Sequence, residues 1–495
     1  MHEYFDDLAD AMIVSNRPGG KVSRQLLGEV LSRVAVKTPP EATREQIAAG
    51  DMLRVPLPLS EGSVSKATAA LRYLGLFEDG PVEKGAGRPL TKIRLGSERW
   101  FCIGVHVRQS DGEISELRVV AVSLDDSRVL ADDRATELAP RRPLADLTNA
   151  VVEAIERITV TVGSRAVRGR LPLLGVGVEI NCPVRDGSAI DRSGKKSIPY
   201  DIRDKLTAAL GVPVVVENDA NVLAIRQTYG TKIENQDFAL ILVTDGGVGA
   251  AVSVGGRVYR GSQGFAGELG HVKVDRAALP VRGAGIECWC GGVDHLDAYA
   301  TPFRIRERLS EKAASERKVY TAAGRALGHG LVALVSLCNP AEILLLVPEW
   351  LGEPALRDAY LKAAEAEISA AGIRHTSEVL DRDQLAVKGA RAAATRVLIE
   401  FIDHLSGIDG CLPEDRSAAA LTPTRGAAAI AGAALTTPLG AAVGAVVGGA
   451  IGATFDRRNT GAAVGRAGAQ SIRARSRQDA PGPDGWTPPW ELSRS

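Results

Sequence analysis

Three groups of residues in this sequence are of types and spacings that could do chemistry. In VVVENDANVLA a hydrophobic strand ends in Glu217, Asn218 and Asp219 just before a helix. A carboxylate at a strand end is placed to accept a proton from a substrate hydroxyl, although Asn218 and Asp219 can equally be helix caps. In ILVTDGGVGAAVSVGGRVYRGSQGFAGELGH, Gly246, Gly247 and Gly249 make one turn, and Gly255 and Gly256 make the next. Gly261, Gly264, Gly267 and Gly270 then lead to His271. Such turns can cradle phosphate through backbone N–H groups, but hairpins use glycine there for its positive φ. Finally, Cys288, Cys290 and His295 follow His271 in CWCGGVDHLD. Thiolate and imidazole are the ligands tetrahedral Zn²⁺ prefers, and four of them close a structural site. The alternative is two reduced buried thiols beside unrelated histidines.

The elements that must position these groups follow from composition and periodicity. The chain has 495 residues, 45% of them hydrophobic and 24% charged, which suits two to four packed domains. Lys plus Arg and Asp plus Glu both total 60, excluding a uniformly polybasic protein. Aromatics are only 4%, which argues against a base-stacking platform for single strands. Six cysteines are too few for a disulfide scaffold, and MHEYFDDLADAMIVSN lacks the order of a secretory signal, so the expected setting is the reducing cytoplasm. Between about 98 and 407, apolar runs (LRVVAVSL, LPLLGVGVEI, VPVVV, FALILV, AEILLLV) alternate with helical patterns, which implies α/β architecture.

After a polar lead (1–21), residues 22–97 read differently. Helices are expected over Ser23–Val34, over Thr43–Gly50 with Thr43 as cap, and from an N-cap at Ser60 to about Leu74. Val64, Ala67, Leu71 and Leu74 form the apolar face of the third, leaving Ser63, Ser65, Lys66 and Thr68 to face outward for phosphate and base-edge contacts. Two short strands with a Gly-rich turn follow, carrying Lys84, Arg88, Lys92 and Arg94 and no acid between them. Three helices and a basic hairpin are expected to be a winged helix-turn-helix, with the hairpin tip reaching a minor groove.

The central motifs together resemble the ROK family (repressors, open reading frames and sugar kinases). The segment Gly247-Val248-Gly249-Ala250-Ala251-Val252 through Gly261, Gly267, Gly270 and His271 fits the family signature, and the resemblance covers about 98–407. It extends to the winged N-terminus, as in the family's repressor branch. The resemblance implies a two-lobed actin-like/hexokinase-like fold with sugar in the cleft. By match to motif, Asn218 and Asp219 would be the sugar-contacting and catalytic-base positions. Glu268 and His271 would add sugar contacts, with His271 also a zinc ligand, and Asp297 stands where the family usually has Glu. The zinc set implied is His271, Cys288, Cys290 and His295, the last in place of a third Cys.

The departures from the family lie on the nucleotide side. FCIGVHVRQSDG puts His106 where the kinase branch has an Asp, and Val107, Arg108 and Gln109 replace its phosphate loop. Asp245-Gly246-Gly247 replaces a Gly-Thr-Gly turn, and Val347-Pro348-Glu349 a third glycine-rich turn. No ATP is expected. The expectation is therefore a DNA-binding regulator, a repressor, in which Asn218, Asp219, Glu268, His271 and Asp297 sense a sugar or sugar phosphate. Double-stranded operator DNA and a second or fourth copy of the chain would be its partners. An ATP-dependent sugar kinase and a membrane-associated adaptor are the rival readings. Cys102, Cys182, Cys338 and Cys411 have no ligand spacing and read as packing residues. The tail, 408–495, is Ala/Gly-rich and then basic. Gly440, Gly444, Gly448 and Gly452 form a small-residue stripe with too little hydrophobicity to make membrane contact the expectation.

Overall fold

The computed structural model describes residues 2–407, apart from 15–21, 36–39, 50–58, 84–88, 98, 111–112, 134–141, 166–172, 192–197, 229–236, 277–278, 280–284 and 312–313. The tail and the wing tip with Lys84 and Arg88 therefore lie outside the described residues.

The N-terminal part contains α1 (His2–Val14), α2 (Arg24–Ala35), β1 (Glu41–Ala42), α3 (Arg44–Ala49), α4 (Glu61–Tyr73), β2 (Phe77–Glu83) and β3 (Leu90–Leu95). The expected caps form. Thr43 Oγ1 accepts from Gln46 N while Gln46 Oε1 accepts from Thr43 N, and Ser60 accepts from Ser63 N at the start of α4. The strands make a sheet ordered β1-β3-β2, so the expected hairpin gains a third strand that two residues were too few to announce.

Two expectations about the DNA-facing residues need correction. Thr68 is buried, because it stands four residues after Val64 and three before Leu71 on the packed face of α4. Ser63 and Ser65 are half-buried and Lys66 is exposed. Lys92 and Arg94 are not free cations: Lys92 Nζ lies 3.1 Å from Glu41 and Arg94 Nε 2.8 Å from Glu78, both across the sheet.

The first lobe comprises β4 (Phe101–Ser110), β5 (Glu113–Ser123), β6 (Val129–Asp133), β7 (Arg142–Pro143), α5 (Leu147–Arg165), β8 (Leu173–Ile180), β9 (Val184–Arg185), β10 (Ser188–Asp191), β11 (Ile198–Asp201), α6 (Ile202–Leu210) and β12 (Val214–Asn218). The second comprises α7 (Asp219–Thr228), β13 (Phe238–Val243), β14 (Val248–Val254), β15 (Arg257–Tyr259), α8 (Asp297–Ala300), α9 (Pro302–Ser310), α10 (Glu316–Cys338), β16 (Glu342–Pro348), α11 (Pro354–Ile368) and β17 (Arg374–Leu380), and α12 (Arg382–Leu405) then returns to the first.

The main sheets are ordered β12-β8-β4-β5-β6 and β15-β14-β13-β16-β17. Each starts with an antiparallel meander and adds two parallel strands on the other side of its first strand. The lobes thus repeat one topology, a duplication with no fixed-period trace in the sequence. Their apolar runs are continuous rather than alternating because both sheet faces are covered. α10 is long and apolar enough to cross a membrane, but half of that stretch is buried in the second lobe's core.

α12 ties these parts together. Gly104 and Gly177 are partners across β4 and β8, and they leave a flat spot on which α12 lies through Gly389, Ala390, Ala393 and Ala394. Its far end packs on the N-terminal helices: Phe401 meets Phe5, with ring centroids 5.1 Å apart, and His404 Nε2 lies 3.1 Å from Asp6. Leu27, Val30, Leu31, Val397, Phe401 and Leu405 belong to one buried cluster.

Candidate functional site

Strand ends from both lobes open onto a cleft of about 650 Å³. Asn218, Asp219, Glu268, His271 and Asp297, far apart in sequence, all line it. Asn218 and Asp219 leave β12 at the start of α7. Asn218 Oδ1 accepts from Ala220 N and Asn221 N, so the capping alternative holds for Asn218. Asp219 Oδ1 accepts from Ala220 N, while Oδ2 faces Arg108 Nη1 at 3.1 Å. Burial raises the Asp219 pKa, and the Arg108 charge opposes that rise.

Arg108 reaches Asp219 from the end of β4, where glycines would be needed to cradle phosphate. Its neighbours are equally committed. Gln109 N donates to Asn181 Oδ1 at 2.8 Å and Asn181 Nδ2 donates back to Gln109 O at 3.0 Å. His106 Nδ1 is hydrogen-bonded to Glu179, its register partner on β8, both fully enclosed. On the opposite wall, Asp245 receives Arg306 at 2.8 Å and Trp350 Nε1 at 2.9 Å, and Arg382 stacks over the Trp350 ring at 4.6 Å. Substituting Arg108 by Leu is expected to cost about 2 kcal/mol, less than a sealed pair would because the cleft admits water. Denaturant unfolding checks this: the double variant with Asp219→Asn should recover most of the loss.

Asp297, at the first turn of α8, is buried against the glycine-rich segment. Its Oδ1 accepts from Val248 N at 2.7 Å and its Oδ2 from Trp289 Nε1 at 2.9 Å. A Cβ on Gly270 would sit 2.0 Å from Oδ1, so that glycine is required for close approach. Burial raises the Asp297 pKa; the nearby His271 and the two donated hydrogen bonds oppose it.

The donor atoms of His271, Cys288, Cys290 and His295 all lie within 4.8 Å of one another. Cys288 Sγ is 3.9 Å from His271 Nδ1 and Cys290 Sγ 3.2 Å from His295 Nδ1. The knuckle is shaped by Gly291 and Asp294, both with positive φ, and Gly292 N donates to Cys290 Sγ at 3.4 Å. The Cys288 thiol, with both imidazoles and that N–H, holds the Cys290 pKa far below the usual thiol range. The same contact, with burial, pushes Cys288 up. Two sulfurs and two nitrogens, closed and with one thiolate already favoured, fit a tetrahedral metal ion. The other ring nitrogen of His271, Nε2, lies 3.6 Å from Glu268 on the cleft side.

Trp289 escaped the sequence reading. The signal was its position between Cys288 and Cys290, which forces its ring out of the knuckle and over the cleft, edge-on to His271 at 4.9 Å between centroids. Arg382 and Asp245, 137 residues apart, gave no sequence signal of their meeting.

Residues 119–347 match the ROK family model. The chain is 22% identical over 302 residues to a xylose repressor of Bacillus subtilis, covering 57% of this chain and 73% of that protein. It is 28% identical over 143 residues to a glucokinase of Halalkalibacterium halodurans, covering 29% of this chain and 41% of that enzyme. The solved structure of a ROK family transcriptional regulator, described as a homolog of the E. coli MLC protein, matches with a TM-score of 0.56 at 18% identity, covering 78% of this chain and 98% of that one. The signature glycines, the cleft they shape and these matches agree: residues 119–347 of this chain carry a ROK family domain, on the two-lobed α/β fold described above.

Proposed function

We propose that this protein is a DNA-binding transcriptional repressor whose sugar-kinase-like domain binds a sugar without phosphorylating it. The reading rests above all on the Arg108–Asp219 pair. A kinase needs that carboxylate free to take a proton from the attacking hydroxyl. Here a guanidinium engages it from the place where a phosphate loop would lie, and Asp245, tied to Arg306 and Trp350, stands where the second phosphate turn would be. The similarity to a named xylose repressor over nearly three quarters of that protein supports the same choice.

The sugar would lie between Asn218/Asp219 and Glu268/His271/Asp297, so its hydroxyls bridge the lobes. A zinc ion held by His271, Cys288, Cys290 and His295 would supply a rigid cross-link and no hydrolytic chemistry. The residues around it then act by position: His271 offers its Nε2 edge to the cleft, and Asp297 pins the Gly247–Val248 turn.

The output is DNA contact. α2, α3 and α4 with the β2–β3 hairpin serve as a winged helix, α4 being the recognition helix that presents Ser63, Ser65 and Lys66. Thr68 has no part in it, and Lys92 and Arg94 stiffen the wing sheet through Glu41 and Glu78. In a homodimer, two such units read half-sites whose spacing lobe closure alters.

Fluorescence anisotropy on fragments of the gene's own promoter region tests the reading. Specific binding that a sugar weakens is the expected result. Turnover of ATP with a hexose and no promoter binding would overturn it. Lys66→Ala is expected to weaken operator binding roughly tenfold at fixed salt and to reduce the salt slope by about one; an unchanged slope would remove Lys66 from the interface.

A further inference from the structure

Two large aromatic rings stand half in water at the mouth of the cleft. Trp289 and Phe303 are each 48% exposed, and both line the same cavity. Aromatic residues make up only 4% of this chain, so two uncovered rings in one concave site are unusual surface to leave wet. The Trp289 ring is also fixed in place. Its Nε1 is held by Asp297 at 2.9 Å, and its face is set by the edge-on contact with His271. A preset ring loses little conformational freedom when a ligand lies against it.

Size and charge narrow what that ligand is. One hexose at interior packing density fills roughly 200 Å³, against a cleft of about 650 Å³. A single ring bridging Asn218 and Glu268 would leave most of the cavity, and the aromatic lip, to water. The arginines lining the cleft already face carboxylates: Arg108 faces Asp219, Arg382 faces Asp245 and Arg304 faces Glu307. A phosphate or carboxylate on the ligand would compete with these carboxylates for the same guanidinium groups. A neutral polyol would not.

We propose that the cleft takes a neutral glycoside of at least two sugar rings, the outer ring stacking on Trp289 beside Phe303. This inference rests on the sugar-binding reading above and names the ligand class of the same site. The inner ring keeps the polar contacts to Asn218, Asp219, Glu268 and His271. The outer ring puts its C–H face on the indole, an interaction that selects for chain length and not for any one hydroxyl.

Isothermal titration of the full-length protein tests it, with glucose, xylose and glucose 6-phosphate set against cellobiose, maltose and xylobiose. At least one disaccharide is expected to bind tenfold or more tighter than its own monosaccharide, with glucose 6-phosphate weakest. Trp289→Leu should bring that disaccharide-to-monosaccharide ratio to about two or below, in line with the few-fold to tenfold worth of an aromatic contact. Trp289→Phe, which keeps a ring but loses the N–H, should retain most of it. A merely structural role for Trp289 would weaken both sugars together and leave the ratio unchanged. Phe303→Ala, outside the metal knuckle, gives a second reading of the ratio should Trp289→Leu fail to fold. A monosaccharide binding as tightly as every disaccharide, or the phosphate binding best, overturns the proposal while leaving a sugar sensor standing. Binding of none of the six sinks the sugar-binding reading itself and this inference with it.

Discussion

Cys290→Ser is expected to abolish metal retention and to lower the melting temperature by about 5 °C. Cys290 is the ligand whose thiolate the fold favours: the Cys288 thiol, two imidazoles and the Gly292 N–H all converge on its sulfur. A serine hydroxyl is a poor soft-metal ligand, and three remaining donors do not close a tetrahedral site. A metal bound in the knuckle would add its binding free energy to the folded state. In a domain of about 300 residues, about 3 kcal/mol corresponds to roughly 5 °C. The knuckle also carries the cleft wall, since Trp289 lies between the two cysteines and Asp297 follows His295 by two residues. Sugar binding should therefore weaken along with stability. Metal analysis of the purified protein, with thermal unfolding before and after chelation, gives the result. Wild-type protein without stoichiometric metal, or a variant melting within about 2 °C of wild type, removes the metal centre.

How much of this was legible in the sequence depends on the range of the interaction. Local chemistry was plain: Ser60 and Thr43 cap where their types and the following residues require, and every apolar run became a strand covered on both faces. The His/Cys cluster could be read because Cys288, Cys290 and His295 lie within eight residues and only His271 had to be brought in. Thr68 was misplaced for want of one step of helical geometry, since a hydroxyl suggests a surface while its i+4 relation to Val64 puts it in the core. Lys92 and Arg94 looked like free cations because their partners, Glu41 and Glu78, come from strands a short sequence window does not join. Arg108 was visible as a misfit in a phosphate loop. Its ion pair with Asp219, 111 residues away, was not. The duplicated sheet order was invisible because hydrogen-bond topology repeats without side-chain identity.

Gly177→Ala is expected to have the other large effect, and it separates stability from signalling. A Cβ at Gly177 would stand 1.8 Å from the carbonyl oxygen of Ala393, and one at Gly104 1.6 Å from that of Ala390. Both obstacles are helix backbone, which cannot rotate away as a side chain can, so α12 must lift from the sheet. We expect a loss of about 3 kcal/mol, in the upper range for overpacking, read as a fall of roughly 5 °C in melting temperature. The position matters more than the magnitude. α12 begins at the cleft, with Arg382 on Asp245 and Asp383 on Arg118, and ends against Asp6 of α1 and Gly28 of α2. In the proposed repressor it is the element through which a change at the cleft would reach the N-terminal helices as a rigid displacement rather than as a chain of side-chain adjustments. Gly28→Ala, whose Cβ would meet Ser406 Oγ at 2.4 Å, disturbs only the far end. It should leave sugar affinity within about twofold while reducing the sugar-induced change in operator affinity. Gly177→Ala should damage both. Titrating operator binding with sugar for the two variants distinguishes them: if Gly28→Ala responds to sugar as wild type does, α12 is a structural brace and the signal travels by another route.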